Sequence, residues 1–461
     1  MLKPFVTVLT IALSAAPLWA DTRVPASQAE ISLGFAPLVK QAAPAVVNIY
    51  AKRIVQTRVS PFRSDPFFRD MFRDFGDTRP RVENSLGSGV ILSEDGIVVS
   101  NYHVISGATD IRVALNDRRE FSATVLLADE ESDLAILRLE GAKDMPHLSL
   151  RNSDEVEVGE LTLAIGNPFG VGQTVSSGIV SGLARSGTAT GNARGYFIQT
   201  DAPINPGNSG GALIDVNGAL IGVNTSILTR SGGSNGIGFA IPSNLVAQFV
   251  AQAGAGNDRF MRPWAGMNGQ PVDADIAASI GLDRPEGIMV SGLHAESPFL
   301  EAGFQAGDVI TAVDGQPVNT PAEMVFRMSV AGLGAKAVIS RFRDGAAEDI
   351  DVKLMAAPDA PDRDQRILGD GTAMPGLTLS RINPAVLAEY GLPLGATGVV
   401  VDDPGPIGAR FGLRVGDLLH VVNGDRVNGT DDVEKALTGR LRRVVVDVQR
   451  GLQRLVISAR I

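Results

Sequence analysis

The sequence NPGNSGG at residues 205–211 places one serine, Ser209, among glycines in a region of short apolar runs. A serine hydroxyl is a weak nucleophile at neutral pH. It becomes reactive when an imidazole accepts its proton and a carboxylate fixes the tautomer of that imidazole. Gly207, Gly210 and Gly211 favour a tight turn and the close approach of other groups to the backbone. The stretch therefore predicts either a nucleophile loop or an ordinary glycine-rich turn.

Two upstream segments supply the partners that a serine nucleophile requires. His103 lies in the segment SNYHV and Asp133 lies in the segment SDLAI, each beside a strand-like run. The order histidine, aspartate, serine is that of a chymotrypsin-type triad, which favours the nucleophile loop over the ordinary turn. We expect His103 to act as general base, Asp133 to orient it and Ser209 to attack. The backbone N–H groups of Gly207 and Ser209 form the expected oxyanion hole, where one donor is worth roughly 3 kcal/mol.

The residues around this triad have the pattern of an all-β domain. From 86 to 242 short β-like runs alternate with Gly, Asn, Asp and Ser, which is typical of a sandwich or a barrel. A short helix at 35–44 and a strand at 45–52 are expected to precede this region. A capped helix is expected to close it after Pro242. We place the protease domain at 35–256.

A repeat occupies the C-terminal part of the chain. The segment FQAGDVITAVDG at 304–315 is echoed by LRVGDLLHVVNG at 413–424. Each is followed by a helical stretch, and the period suits two domains of roughly 90 residues rather than a solenoid. We call residues 260–356 the first repeat and residues 372–461 the second repeat. Residues 357–371, rich in Pro, Asp and Ala, are predicted to be a flexible linker.

These motifs, with LGSGVI at 86–91 and the two repeats, resemble the HtrA/Do family of serine proteases over nearly the whole mature chain. The resemblance implies a mainly β fold: a trypsin-like double β-barrel followed by two PDZ domains of α+β type. It also implies an ATP-independent endoprotease that degrades misfolded or damaged exported proteins. The family assembles as trimers, so the resemblance implies a homotrimer or a multiple of it.

A PDZ domain binds an extended peptide as an added strand and holds the terminal carboxylate on successive backbone N–H groups. In the second repeat the matching loop is expected at 375–378. Pro375 lacks an N–H group there, so we expect this loop to bind carboxylates less well. The expected loop of the first repeat consists of Trp264, Ala265, Gly266 and Met267.

The resemblance also places a specificity pocket beside the nucleophile, lined by Ile204, Thr225, Ile227 and Leu228. No carboxylate stands at its expected base, where a lysine or arginine of the substrate would be buried unpaired at a large cost. We therefore predict cleavage after small or medium aliphatic residues such as Val, Ala or Ile. The alternative is that the apolar side chains belong to the ordinary core.

A long loop at 56–83 has no strand or helix period. Loops of this length in a compact domain are usually functional or disordered. The loop resembles the family's regulatory loop, which reaches into the active site of a neighbouring subunit. The alternative is a surface loop whose aromatic side chains pack locally. These aromatic residues are Phe62, Phe67, Phe68, Phe72 and Phe75.

The N-terminus has the pattern of a secretory signal peptide. Lys3 precedes an apolar stretch, and small residues lead to an expected cleavage site after Ala20, so residues 1–20 are the predicted leader. The periplasm is the expected destination. The apolar stretch is short for a membrane span, although a retained anchor remains the alternative.

Composition narrows the function classes. The 461-residue chain has a formal net charge of −10 and no long basic run, which argues against nucleic-acid binding. The absence of cysteine excludes disulfides and thiolate metal sites. His147, His294 and His420 lie in separate segments without metal-ligand spacing, so we expect no metal and no cofactor. The remaining rival is a non-catalytic peptide-binding chaperone that retains the protease fold.

Overall fold

Two closed β-barrels form the N-terminal half of the described chain. The computed structural model describes residues 34–59, 77–167, 172–186, 196–205, 207–227, 236–439 and 441–460. The strands of the first barrel are β1 Val46–Val59, β2 Asp77–Ile91, β3 Ile97–Ser100, β4 Asp110–Ala114, β5 Glu120–Asp129 and β6 Leu134–Leu139. Those of the second are β7 Leu161–Gly166, β8 Thr174–Ser186, β9 Tyr196–Thr200, β10 Ala212–Ile214, β11 Leu220–Ile227 and β12 Gly238–Pro242. The barrels close in the orders β1-β2-β3-β6-β5-β4 and β10-β11-β12-β9-β8-β7.

Successive apolar residues of one strand serve two different cores. Val47 and Ile49 of β1 point into the first barrel, whereas Val46 packs into a cluster that also contains Ile165 and Phe239 of the second barrel. This division follows from the strand period of two. The cluster that contains Val46 joins the barrels. The predicted triad draws on both, with His103 and Asp133 in the first barrel and Ser209 in the second.

In the described part of the chain, three helices flank the barrels, and the first and last lie where the sequence predicts helical stretches. The last helix was expected to be capped, but its N-cap residue, Pro242, forms no side-chain capping hydrogen bond. The last of them packs Phe249 into the cluster between the barrels. Among the described residues, no helix has the length and apolar character needed to cross a membrane. The helices are α1 Ala36–Ala42, α2 Tyr102–Ile105 and α3 Ser243–Gly254.

The first repeat is a six-stranded antiparallel sheet with three helices. Its strands are β13 Met267–Pro271, β14 Ile288–Leu293, β15 Val309–Val313, β16 Gln316–Pro317, β17 Lys336–Arg343 and β18 Ala346–Lys353. Its helices are α4 Ala274–Ile280, α5 Pro298–Glu301 and α6 Pro321–Ala331. The main path runs β13-β14-β15-β17-β18, so β13 is an edge strand.

The second repeat has the same path with one strand added at the edge. Its strands are β19 Arg366–Ile367, β20 Thr378–Arg381, β21 Val399–Asp403, β22 Leu418–Val422, β23 Asp425–Arg426, β24 Arg443–Arg450 and β25 Gln453–Arg460. Its helices are α7 Pro384–Tyr390, α8 Gly405–Phe411 and α9 Thr430–Leu437. The main path is β19-β20-β21-β22-β24-β25. The added strand β19 comes from 357–371, so this part of the predicted flexible linker is held against the sheet.

The first repeat docks on the second barrel through α6. Arg327 of α6 is buried and forms an ion pair with Asp154. Its guanidinium also donates to the Tyr196 hydroxyl at 2.7 Å. The Tyr196 ring stacks on Phe326 with the ring centroids 4.0 Å apart. The burial of an arginine is costly unless it is paired, so these contacts fix how the repeat sits on the barrel.

Candidate active site

The structure brings two of the three predicted triad residues into direct contact. His103 lies in α2, just after β3, and Asp133 lies just before β6. The Nδ1 atom of His103 is 2.9 Å from both carboxylate oxygens of Asp133. The backbone N–H of His103 also donates to Asp133 Oδ1 at 3.0 Å. This contact leaves Nε2 as the ring nitrogen that faces away from the carboxylate, as a general base requires.

Further donors hold Asp133 in place. Its backbone has a φ of 53°, a left-handed conformation that is uncommon for a residue other than glycine. The side chain of Asn101 donates to the Asp133 carbonyl oxygen at 2.9 Å. The Thr225 hydroxyl donates to Asp133 Oδ2 at 2.6 Å. These bonds fix the carboxylate toward His103, so neither its position nor its orientation depends on the histidine alone.

Ser209 lies on the second barrel, just before β10, and its hydroxyl is bonded elsewhere. The Oγ atom donates to the Thr225 carbonyl oxygen at 2.9 Å. A hydroxyl has a single proton to donate, so in this arrangement the proton is directed at the backbone and not at His103. Thr225 therefore contacts both Asp133, through its hydroxyl, and Ser209, through its carbonyl. The structure thus places Ser209 on the same threonine as Asp133 but shows no hydrogen bond between Ser209 and His103 among the described residues.

The backbone of the nucleophile loop is held by Ser88. The Ser88 hydroxyl donates to the Gly207 carbonyl oxygen at 2.6 Å, and the Ser88 N–H donates to the Ser209 carbonyl oxygen at 2.9 Å. Gly210 packs so closely that a Cβ atom there would lie 2.1 Å from the Ser88 carbonyl oxygen. Its φ of 81° also favours glycine. The glycines of the motif thus serve the close approach that the sequence predicts.

The two predicted oxyanion-hole donors remain unpaired among the described residues. Neither the Gly207 N–H nor the Ser209 N–H donates to a protein acceptor there. The Asn208 carbonyl oxygen accepts from the Gly211 N–H at 2.9 Å. Because a trans peptide points its C=O and N–H in opposite directions, this bond turns the Ser209 N–H away from Gly211.

The predicted specificity pocket is only partly described. Ile204 is 1% exposed and belongs to the core of the second barrel. Its side chain fills the space beside Gly238, where a Cβ atom would lie 2.7 Å from Ile204 Cδ1. Strand β11 ends at Ile227, and Leu228 lies outside the described residues, as do the five phenylalanines of the predicted regulatory loop. The Thr225 hydroxyl, expected in the pocket, is bonded to Asp133 instead.

The predicted carboxylate loop of the first repeat borders an open groove. Gly266 has a φ of 58° and precedes the edge strand β13. A cavity of about 570 Å³ lies between β13 and α6. Trp264 and Met267 line it on the strand side, and Val325 lines it on α6. The second repeat also forms part of its wall, through Leu387, Ala388, Gly391, Leu392 and Leu394. Among the described residues, no cluster of three or more His, Asp or Glu side chains is arranged to bind a metal.

Comparison with known proteins identifies this combination of barrels and repeats. The family described as trypsin-like peptidase domain matches residues 87–223, and the family described as PDZ domain matches residues 263–354. The chain is 37% identical over 431 residues to the periplasmic pH-dependent serine endoprotease DegQ of Escherichia coli (strain K12), covering 92% of this chain and 91% of that one. It is 34% identical over 469 residues to the periplasmic serine endoprotease DegP of the same organism, covering 96% and 95%.

The chain belongs to the HtrA/Do family of serine endoproteases. A solved structure, the HtrA-type protease AlgW with decapeptide, is 40% identical with a TM-score of 0.53, covering 70% of this chain and 99% of that one. The family confirms the fold predicted from the sequence, a trypsin-like double barrel followed by PDZ domains. The chain is accordingly a serine endopeptidase.

In this HtrA/Do family member, the structure adds a contact between the first repeat and the segment that leads to Asp133, which the sequence did not reveal. Arg262 donates to both carboxylate oxygens of Asp129, at 3.1 and 2.5 Å, and to the Ser132 hydroxyl at 2.7 Å. Asp129 is the last residue of β5, and Ser132 lies in the loop that leads to Asp133. Arg262 thus stabilises the loop that carries the triad carboxylate. The sequence did not predict these contacts because Arg262 lies far from Asp129 and Ser132 along the chain.

The carboxylate loop of the second repeat lies one residue earlier than the sequence predicted. Both repeats have a strand irregularity, between Asn268 and Gly269 in β13 and between Thr378 and Leu379 in β20. Aligning these pairs matches Gly376 with Gly266. The loop is therefore 374–377 rather than 375–378, and the proline occupies the position of an alanine.

Proposed function

We propose that this endopeptidase uses His103, Asp133 and Ser209 as its catalytic triad, with the N–H groups of Gly207 and Ser209 as the oxyanion hole. The observation that carries the proposal is the contact of His103 Nδ1 with the Asp133 carboxylate at 2.9 Å. It leaves the opposite ring nitrogen for the serine proton. Deprotonated Ser209 attacks the scissile carbonyl, and the protonated imidazole then donates to the leaving amine.

The bond from Ser209 to the Thr225 carbonyl supports a resting form of the site. General-base catalysis requires the hydroxyl to exchange this acceptor for His103 Nε2. The exchange requires the Ser209 hydroxyl to turn away from the Thr225 carbonyl oxygen, with which it is bonded at 2.9 Å. We infer that substrate entry favours the rotated form because the attacking oxygen must face the bound peptide.

The substrates we propose are misfolded or damaged exported proteins, cleaved after small or medium aliphatic residues without ATP. Aliphatic side chains are buried in folded proteins and become accessible on unfolding. Ile227 and Leu228 are the proposed apolar pocket, because Ile204, also predicted there, is packed in the core of the second barrel. The periplasm is the proposed compartment, supported by the predicted leader at 1–20 and by the periplasmic names of the relatives.

The first repeat is the proposed site of substrate peptides. Its edge strand β13 and the adjoining cavity of about 570 Å³ suit an added peptide strand. A related protease has been solved with a decapeptide. Binding there raises the effective concentration of a substrate near the triad. A homotrimer or a multiple of it is the proposed assembly, and a monomer in light scattering at working concentration would contradict it.

The decisive experiment compares the wild type with Ser209→Ala on unfolded casein, and maps the product ends by mass spectrometry. We expect hydrolysis by the wild type alone, with aliphatic residues at the new C-termini. Hydrolysis that survives Ser209→Ala would refute the assigned nucleophile. Dominant cleavage after arginine would refute the apolar pocket. The rival, a non-catalytic chaperone, predicts no hydrolysis by either form while both still suppress aggregation.

A further inference from the structure

The peptide edge of the second repeat is covered by a segment of the same chain, residues 363–368, which we call the cis segment. Strand β19 of this segment runs antiparallel to β20 and pairs Arg366 with Leu379. The ladder continues at Leu368, whose N–H donates to the Leu377 carbonyl oxygen at 2.9 Å. A peptide ligand adds to the edge strand of a PDZ domain by the same kind of pairing. The cis segment therefore occupies the place of a ligand strand.

The carboxylate loop contacts Leu368 as if it were the end of a peptide. The N–H of Gly376 donates to the Leu368 carbonyl oxygen at 2.8 Å. Gly376 matches Gly266 of the first repeat, whose N–H has no acceptor among the described residues. The Leu368 side chain is 2% exposed and lies in the core cluster with Leu377 and Leu437. Its carbonyl oxygen thus stands in for one oxygen of a terminal carboxylate.

The side chains of the cis segment alternate between the groove and solvent. Arg366, two residues before the buried leucine, donates to Glu434 Oε2 of α9 at 2.9 Å. Ile367, between them, is 72% exposed. Asp364 accepts a hydrogen bond from the Thr430 hydroxyl at the start of α9. This period of two is that of a strand lying between β20 and α9, with every second side chain turned toward the helix.

We propose that the cis segment is a built-in ligand that closes the peptide groove of the second repeat. When the segment is displaced, the groove takes the C-terminus of another polypeptide with an aliphatic terminal residue and a basic residue two positions earlier. The buried pocket of Leu368 selects the aliphatic residue, and Glu434 selects the basic one. The proposal is independent of the catalytic triad because none of these residues contacts it.

The cis segment competes with a free peptide for the groove, and this competition sets how far opening the groove should change the peptide's affinity. A tethered segment acts at an effective concentration on the order of 1 mM when its tether is short. If the cis segment itself has an intrinsic Kd of about 10 μM for the groove, a free peptide would bind the closed groove roughly 100-fold more weakly than the open groove. Opening the groove should therefore change affinity by one to two orders of magnitude.

The test measures binding of a fluorescein-labelled peptide ending in Asp-Gln-Arg-Ile-Leu with a free carboxylate, by fluorescence anisotropy. The protein is the full chain with Ser209→Ala, which prevents cleavage of the probe. Leu368→Asp and Arg366→Glu disrupt the cis contacts in two independent ways, and we expect each to tighten binding roughly 10- to 100-fold. Ile367→Glu is the matched control, because its exposed side chain should leave affinity unchanged.

Two further measurements test whether the increase in peptide affinity arises at the groove of the second repeat. Adding Glu434→Lys to the Leu368→Asp chain should abolish the gain, as should amidation of the peptide terminus. Hydrogen exchange should show the amides of Leu368 and Gly376 losing protection in the opened variants. The amides of β24 should stay protected, which verifies that the second repeat is folded.

Two results would overturn the proposal. Binding by the Ser209→Ala chain that is as tight as that of the opened variants, and that is lost on adding Glu434→Lys, would show that the groove is not closed. Opened variants that remain folded but gain no affinity would show that the groove does not recognise this peptide chemistry. Because the test uses an inactive chain, failure of the proposed triad would leave both results interpretable.

Discussion

Replacing Thr225 with valine tests whether one threonine organises the active site. The Thr225 hydroxyl donates to Asp133 Oδ2 at 2.6 Å, and its side chain is largely buried. Valine has nearly the same shape and lacks only the hydroxyl. The backbone carbonyl that accepts from Ser209 is retained, so the change isolates the bond to the carboxylate.

The magnitude follows from the number of donors that remain. A hydrogen bond to a charged group is worth about 1.5–3 kcal/mol. Asp133 keeps the imidazole and backbone donors of His103, and its side chain is 22% exposed, so water can replace part of the loss. The lower end, about 1.5 kcal/mol, therefore applies. If this bond orients the general base in the transition state, kcat/KM falls roughly tenfold.

The assay is the initial rate of hydrolysis of a fluorogenic peptide with an aliphatic residue before the scissile bond. Thr225→Ser is the matched control, because it keeps the hydroxyl and should retain most of the activity. Thermal unfolding of both variants separates loss of orientation from loss of fold. Wild-type activity in Thr225→Val, or an equal loss in Thr225→Ser, would refute the reasoning.

Three other substitutions test the surrounding structure. Gly210→Ala should abolish casein hydrolysis and lower the melting temperature, because its Cβ would lie 2.1 Å from a backbone oxygen. Arg262→Met keeps the apolar stem but loses the bonds to Asp129, so kcat should fall several-fold in steady-state kinetics with KM nearly unchanged. Arg327→Met leaves the partly exposed Asp154 unpaired, which should destabilise the docked repeat by about 2 kcal/mol in denaturant unfolding and speed limited proteolysis there.

The sequence predicted those parts of the site that follow from local patterns. His103 and Asp133 stand beside regular strand-like runs, and closing the barrel brings those runs together, so their contact could be anticipated. The direction of the Ser209 hydroxyl could not, because it depends on how the nucleophile loop lies against Thr225 of β11. Asn101 is two residues from the predicted base, yet its bond to the Asp133 carbonyl appears only when β3 and β6 pair.

The cis segment shows more clearly where prediction from amino-acid composition fails. The proline, aspartate and alanine content of residues 357–371 predicts a flexible linker, and only Ile367 and Leu368 interrupt it with large apolar side chains. These residues are held in place by the edge strand β20 and by α9, both of which are formed by later residues. A short motif whose partner lies elsewhere in the chain has no periodicity of its own, so sequence patterns do not detect it.

The two repeats therefore differ in how peptide binding could affect the active site. A ligand shifts an equilibrium only through contacts that differ between two states. The first repeat has an open edge strand, and its groove is bordered by α6, which is fixed to the second barrel through Arg327. Arg262, just before its carboxylate loop, holds the loop that carries Asp133. A peptide bound at β13 thus contacts elements that reach the catalytic machinery, whereas a ligand of the second repeat must first displace Leu368.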